Sequence, residues 1–263
     1  MIIEVFGPPA AGKTTFVAAL ATALRERGHV VETMISSRPA EAEEAPHAGD
    51  ATGLVMPAVL TRVIRPFAEV LKLARHPSAS SPGQTAELMR LMPPKSPIWF
   101  VRVAQYLLRL NTTWQRAAHK VYIVLFDQAY VQAVCSLILL GRPADDALVM
   151  RLLDKIPHPD LLIQLEAPKS VLETRLRDRC RDQSVMERFF EFDLTTNLDS
   201  IRVIEDLDRL VARRGWPMIR ACSLDQQLLA QSIAMIEAIC VHSTNRPALQ
   251  TKSVSNPVIP TLA

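Results

Sequence analysis

Glycine is scarce in this sequence, 8 residues in 263, and aromatic side chains make up only 5% of it. So little glycine excludes a collagen-like or Gly-rich low-complexity chain and makes each glycine position informative. The four cysteines, Cys135, Cys180, Cys222 and Cys240, lie far apart, with no C-x-x-C pair and no Cys/His cluster. That spacing excludes a zinc ribbon and reads as reduced thiols in a cytosolic setting. Long hydrophobic runs are missing too. The longest, around residues 134–140, is too short to cross a bilayer. Met1 leads straight into Ile2-Ile3-Glu4-Val5-Phe6 and then a glycine turn, so no signal peptide, no membrane partner and a cytoplasmic location are expected. Nor is there charge of one sign. Thirty basic against 27 acidic residues leave a net charge of +3, which does not favour nucleic acid as a partner.

What is present suits a folded α/β protein. Hydrophobic residues are 49% and charged residues 22%, and a chain of this length buries a core without disulfide or metal staples. Short apolar runs at 2–6, 30–35, 121–126, 161–165 and 217–221 read as strands. They alternate with helical patterns, which indicates a parallel sheet covered on both faces. Gly28, Gly141 and Gly215 each follow such a pattern, where a left-handed residue is expected to end the helix. Residues 40–119 interrupt the rhythm with an acidic loop at 41–53, a helix at 57–75, a Ser/Pro/Ala loop at 76–83 and a long helix at 98–119. This reads as a helical insertion between the second and third strands of one domain spanning 1–242. Residues 243–263 lack periodicity and read as a flexible tail.

Gly7-Pro8-Pro9-Ala10-Ala11-Gly12-Lys13-Thr14 fits G-x-x-x-x-G-K-[ST], with a strand before it and a helix after it. Backbone N–H groups of such a loop curl round an anion, and the helix N-terminus, here continuing through Thr15, adds a favourable dipole. Lys13 is placed to reach the β- and γ-phosphates, and the Thr14 hydroxyl to hold Mg²⁺. The third strand ends in Phe126-Asp127-Gln128. In a parallel sheet this carboxylate lies at the same edge as the phosphate loop. Asp127 is then either a Mg²⁺ ligand or the acceptor of a proton from an attacking hydroxyl; as an alternative it simply caps the next helix. After the fourth strand, Arg175 and Arg179 lie four apart on one helical face and Arg181 just beyond, expected in a loop. Guanidinium groups pair bidentately with phosphate oxygens, although a solvated helix face has the same pattern.

Together, these pieces resemble the thymidylate kinase-like group of P-loop nucleoside and nucleotide kinases. The resemblance covers roughly residues 1–38 and 118–240 and rests on the phosphate loop, Phe126-Asp127-Gln128 and Arg175-x-x-x-Arg179-x-Arg181. It implies a P-loop NTPase three-layer α/β/α sandwich whose five-stranded parallel sheet has the order 2-3-1-4-5, with a lid over 168–192. The sequence departs from the family pattern. Gln128 stands where thymidylate kinases carry arginine, Cys180 replaces the lid glycine, and only Ser37-Arg38-Pro39 remains of the motif after the second strand. The implied activity is transfer of the γ-phosphoryl group of ATP, with Mg²⁺, to a nucleoside, nucleotide or other small acceptor. Lys13, Asp127, Arg175, Arg179 and Arg181 would be catalytic, and Gly7, Pro8, Pro9, Ala10, Ala11, Gly12, Lys13, Thr14 and Thr15 would hold the nucleotide. The acceptor side draws on the insertion: Arg38, Arg62, Arg65, Arg102, Gln105, Tyr106 and Arg109, with Gln128. Trp99 and Phe100 either stack on a ring there or pack in the core, and residues 222–225 would border the base. A homodimer is compatible with this reading. A nucleotide switch or a regulatory binding protein that kept the phosphate loop are the alternatives, the first disfavoured by the lack of N-K-x-D.

Overall fold

The computed structural model describes residues 1–35, 82–182 and 194–244. Five strands, β1 (Ile2–Phe6), β2 (Val31–Ile35), β3 (Ile123–Asp127), β4 (Leu161–Glu166) and β5 (Met218–Cys222), form one sheet in the order β2-β3-β1-β4-β5. Every pairing is parallel. This is the expected sheet, and its order puts β1 at the centre with the first crossover leaving from its end.

Eight helices join the strands among the described residues. They are α1 (Lys13–Glu26), α2 (Pro82–Leu91), α3 (Pro97–Ala118), α4 (Tyr130–Leu140), α5 (Asp146–Leu153), α6 (Lys169–Asp182), α7 (Leu194–Arg213) and α8 (Gln226–Thr244). They cover both faces of the sheet, completing a three-layer α/β/α sandwich. Alternation along β1 sorts the two cores. Ile3 and Val5 pack with Phe16 and Leu20 of α1, while Ile2 and Phe6 pack on the opposite side with α3, α4 and α7. Burial on both faces explains why β1 and β3 are apolar almost throughout.

The long helix expected at 98–119 is α3. Its buried residues Val103, Leu107, Leu110, Trp114 and Ala117 recur every three or four positions and make one apolar stripe. Trp114 anchors it, with its ring centroid 5.0 Å from that of Phe126 on β3 and 5.3 Å from that of Tyr130 on α4.

Some expectations need correction. Gly141 is not left-handed but extended, at φ −87° and ψ −161°. Its constraint is space, because a Cβ there would lie 2.5 Å from Met92 Sδ and 2.7 Å from Leu137 O. Gly28 and Gly215 are left-handed as expected, at φ 87° and 68°. The third strand begins at Ile123, since Val121 is 99% exposed and outside the sheet. Pro82 and Gly83 belong to the first turn of α2 rather than to a loop, a position proline tolerates because its missing N–H has no intrahelical partner there. The domain boundary at 242 falls inside α8, which runs to Thr244. The loop at 41–53, the helix at 57–75 and residues 245–263 lie outside the described residues.

Candidate nucleotide site

At the C-terminal edge of the sheet, β1 runs into the loop that carries the glycine–lysine motif. Gly7 has φ 151°, and a Cβ on it would lie 2.5 Å from the carbonyl oxygen of Leu165. The main chain therefore turns against the backbone of β4, which only glycine permits. Ala10, at φ 63°, and Gly12, at φ 90°, complete the curl into α1. No side chain caps the N-terminus of α1, which leaves its positive dipole end to whatever the loop encloses.

Lys13 is 7% exposed, and its Nζ donates to Gly7 O at 2.9 Å and to Pro8 O at 2.8 Å. The ammonium is held across the mouth of the loop by main-chain carbonyls. Next to it, the exposed Thr14 donates its hydroxyl to Asp127 Oδ2 at 2.6 Å. Asp127 pairs with Val5 in the β1–β3 register and is 1% exposed. Its Oδ1 is buried and has no hydrogen-bond partner. A buried carboxylate oxygen without a donor is costly unless a cation or proton completes it. The chemistry of this pair, a hydroxyl and a carboxylate with a spare oxygen, fits a hard divalent cation such as Mg²⁺.

The residue after Asp127 is Gln128, left-handed at φ 72°. Its N–H donates to Val5 O at 3.1 Å. Tyr106 of α3 reaches over the turn, its hydroxyl 3.3 Å from Gln128 O and 3.4 Å from Ala129 O. Two of the expected acceptor-side residues, Tyr106 and Gln128, thus meet beside Asp127. Arg102, Gln105 and Arg109 stand on the same helix. The Arg102 guanidinium stacks over the Trp99 ring at 4.8 Å, Trp99 is half-buried and Phe100 is exposed. Arg38, Arg62 and Arg65 lie outside the described residues.

Of the three arginines expected in a lid, Arg175 reaches the glycine–lysine loop, donating from Nη1 to Ala10 O at 3.2 Å. Arg181 is still inside α6, not in a loop, and pairs with Asp178 at 3.6 Å on the surface. Arg179 lies between them on the same helix, and residues 183–192 of the expected lid are outside the described set. After β5, Ser223 donates its hydroxyl to Ala11 O at 3.4 Å, so this residue of the 222–225 segment lies against the glycine–lysine loop.

The structure also adds residues that the motif reading left out. Glu4 is fully buried in β1, and its Oε1 accepts the Val131 N–H at 2.7 Å. Burial raises its carboxyl from the ordinary 4.5 to about 7, against the opposing pull of the Val131, Gln132, Ala129 and Tyr130 amides. Gln132 Oε1 accepts from Gly7 N at 3.4 Å. Tyr130 is buried, its hydroxyl donates to Gln84 Oε1 at 3.3 Å, and burial followed by the nearby Glu4 charge raises its pKa. A signal for Glu4 was present in the sequence: it is the one charged residue in an otherwise apolar central strand.

No family model and no curated protein matches the chain. Among solved structures, the chain is similar to one described as deoxyadenosine kinase from M. mycoides with the products dCMP and a flexible dCDP bound. The TM-score is 0.48 and the identity 13%, over 92% of this chain and all of that one. Among the described residues, no helix is long and apolar enough to cross a membrane.

Proposed function

We propose that the protein is an ATP- and Mg²⁺-dependent phosphotransferase that moves the γ-phosphoryl group of ATP to a small acceptor, a nucleoside, nucleotide or other hydroxyl- or phosphate-bearing molecule. The observation that carries this reading is the 2.6 Å bond from Thr14, in the first turn after the phosphate loop, to the buried Asp127 at the end of the adjacent strand. It joins a loop suited to a polyphosphate to a carboxylate suited to a cation or a proton.

In the proposed reaction the bond from the γ-phosphorus to the bridging β-phosphate oxygen breaks. A new bond forms from the acceptor oxygen to the γ-phosphorus, the acceptor proton leaves to a base or to solvent, and ADP departs with the bridging oxygen. Main-chain amides of residues 7–13 would enclose the phosphates, and Lys13, already held in place by Gly7 O and Pro8 O, would supply positive charge where negative charge grows. Thr14 and Asp127 would hold Mg²⁺, which would supply positive charge to the bound polyphosphate. Arg175, docked on Ala10 O, would close the site from the α6 side and exclude water. Arg179 and Arg181 would join it as α6 moves with the bound nucleotide. The Tyr106–Gln128 contact forms the wall on which the acceptor would sit, with Arg102 and Gln105 further along α3. Asp127 remains the residue for either metal binding or proton acceptance.

The test is a metabolite-library screen for acceptor-dependent ADP release. An acceptor that accelerates release is expected, with Asp127→Asn losing about 100-fold or more of the rate. Tight nucleotide binding with release indifferent to every acceptor would instead favour a switch or regulatory protein.

A further inference from the structure

The turn between β3 and α4 carries Asp127, yet it lacks the local chemistry that ordinarily fixes such a turn. Ala129 occupies the N-cap of α4 with no side-chain cap, and no acidic residue lies in the first turn. Gln128 holds a left-handed conformation that a non-glycine residue adopts at a cost. Something outside the turn must hold it.

Glu4 does so from the next strand. Its Oε1 takes the N–H of Val131, the second residue of α4, at 2.7 Å. That N–H is one of the donors an N-cap side chain ordinarily satisfies. Two further links run between the same pieces of chain. Gln128 N donates to Val5 O at 3.1 Å, and Gly7 N donates to Gln132 Oε1 at 3.4 Å. Three bonds from residues 4, 5 and 7 thus tie the turn to the segment that enters the glycine–lysine loop, and of these only the Glu4 bond comes from an ionisable, fully buried side chain. Burying a carboxyl in the middle of the sheet, where Glu4 pairs with Phe126 and Leu162 in register, costs stability that an apolar residue would avoid.

We infer that Glu4 is a positioning residue for the metal–nucleotide site: it caps α4 from within β1 and so holds Asp127 in register with Thr14. This rests on the proposed reading of Thr14 and Asp127 as the Mg²⁺ pair. Fully buried within β1 and bonded to Val131, Glu4 acts through the turn, as residues behind metal ligands commonly do.

The experiment is calorimetric titration of ATP into wild-type, Glu4→Gln and Glu4→Leu protein, in EDTA and across a series of Mg²⁺ concentrations, with folding checked by circular dichroism. Glu4→Gln keeps an oxygen for Val131 N–H; Glu4→Leu does not. The Mg²⁺ concentration that half-saturates the enhancement of ATP binding is expected to rise about tenfold in Glu4→Leu. Glu4→Gln is expected to rescue it to within about threefold, with affinity in EDTA altered less than about twofold in either variant. If Glu4→Leu does not fold, Glu4→Asp, one methylene short of Val131, takes its place with the same tenfold expectation. Variants that melt earlier but keep the wild-type Mg²⁺ dependence overturn the positioning role and leave Glu4 purely structural. Wild-type protein that binds no ATP overturns the functional reading, and this proposal with it.

Discussion

Replacing Gly7 by alanine tests whether the phosphate loop is built against the backbone of β4. The comparison substitution is Gly28→Ala. Both glycines have positive φ, 151° and 87°, but a Cβ on Gly28 meets nothing within 4 Å, whereas one on Gly7 lies 2.5 Å from Leu165 O and 3.4 Å from Leu165 C and N. Gly28→Ala therefore carries only the conformational cost, about 1 kcal/mol. Gly7→Ala carries a comparable cost and a collision between main chains that no side-chain rotation relieves. Phe6 pairs with Gln164 one residue earlier on each strand, so relief requires prising β1 from β4 at the centre of the sheet. A further 2–3 kcal/mol, roughly, is expected from that overpacking. For a chain of this size each kcal/mol moves the melting midpoint by about 2–4 °C. Scanning calorimetry should then find Gly28→Ala a few degrees below wild type and Gly7→Ala on the order of 10 °C below it. Gly7→Ala melting together with Gly28→Ala would refute the close approach.

Glu4 gives stability a pH dependence with a definite sign. Its carboxyl releases a proton near 4.5 when unfolded and near 7 when folded, so its contribution is whole below pH 4.5 and is lost as pH rises through 7, by about 3 kcal/mol. Urea unfolding between pH 5 and 8 should show that slope in wild type and lose it in Glu4→Gln; an identical slope in both assigns the titration elsewhere. Arg175→Ala should leave stability within about 0.5 kcal/mol, since the side chain is exposed, while lowering turnover about tenfold or more; unchanged turnover would remove it from the site. Trp114→Ala empties the packing against Phe126 and Tyr130 and should cost about 3–5 kcal/mol in chemical denaturation. A cost below about 1 kcal/mol would mean that α3 is not anchored there.

The tight loop from β1 into α1 was legible because its positive-φ positions and close main-chain approach call for glycine within one continuous segment. The strands were legible for a related reason: burial on both faces leaves apolar runs that need no partner information. Residues joined across the sheet were not. Glu4 and Val131 are 127 positions apart, and nothing near Val131 marks an N-cap, since the cap is supplied by another strand. Gly141 looked like a left-handed helix terminator, but its need for glycine comes from crowding, by Leu137 O of the helix it ends and by Met92, which only tertiary packing brings near. Pro82-Gly83 reads as a turn in isolation and becomes a first helical turn because the residues after it bury Leu88 and Met89. Arg175, Arg179 and Arg181 looked equivalent in sequence. The structure separates Arg175, on the phosphate loop, from Arg181, paired with Asp178.

The most direct measurement is the melting midpoint of wild-type and Lys13→Ala protein with ATP and Mg²⁺ added. A loop that grips the phosphates should give wild-type protein about 2.7 kcal/mol of added stability at ligand a hundredfold above Kd, and Lys13→Ala almost none. Wild-type protein whose midpoint does not move with Mg²⁺ and ATP, or a variant protected as strongly as wild type, would contradict the assignment of this loop as the nucleotide site.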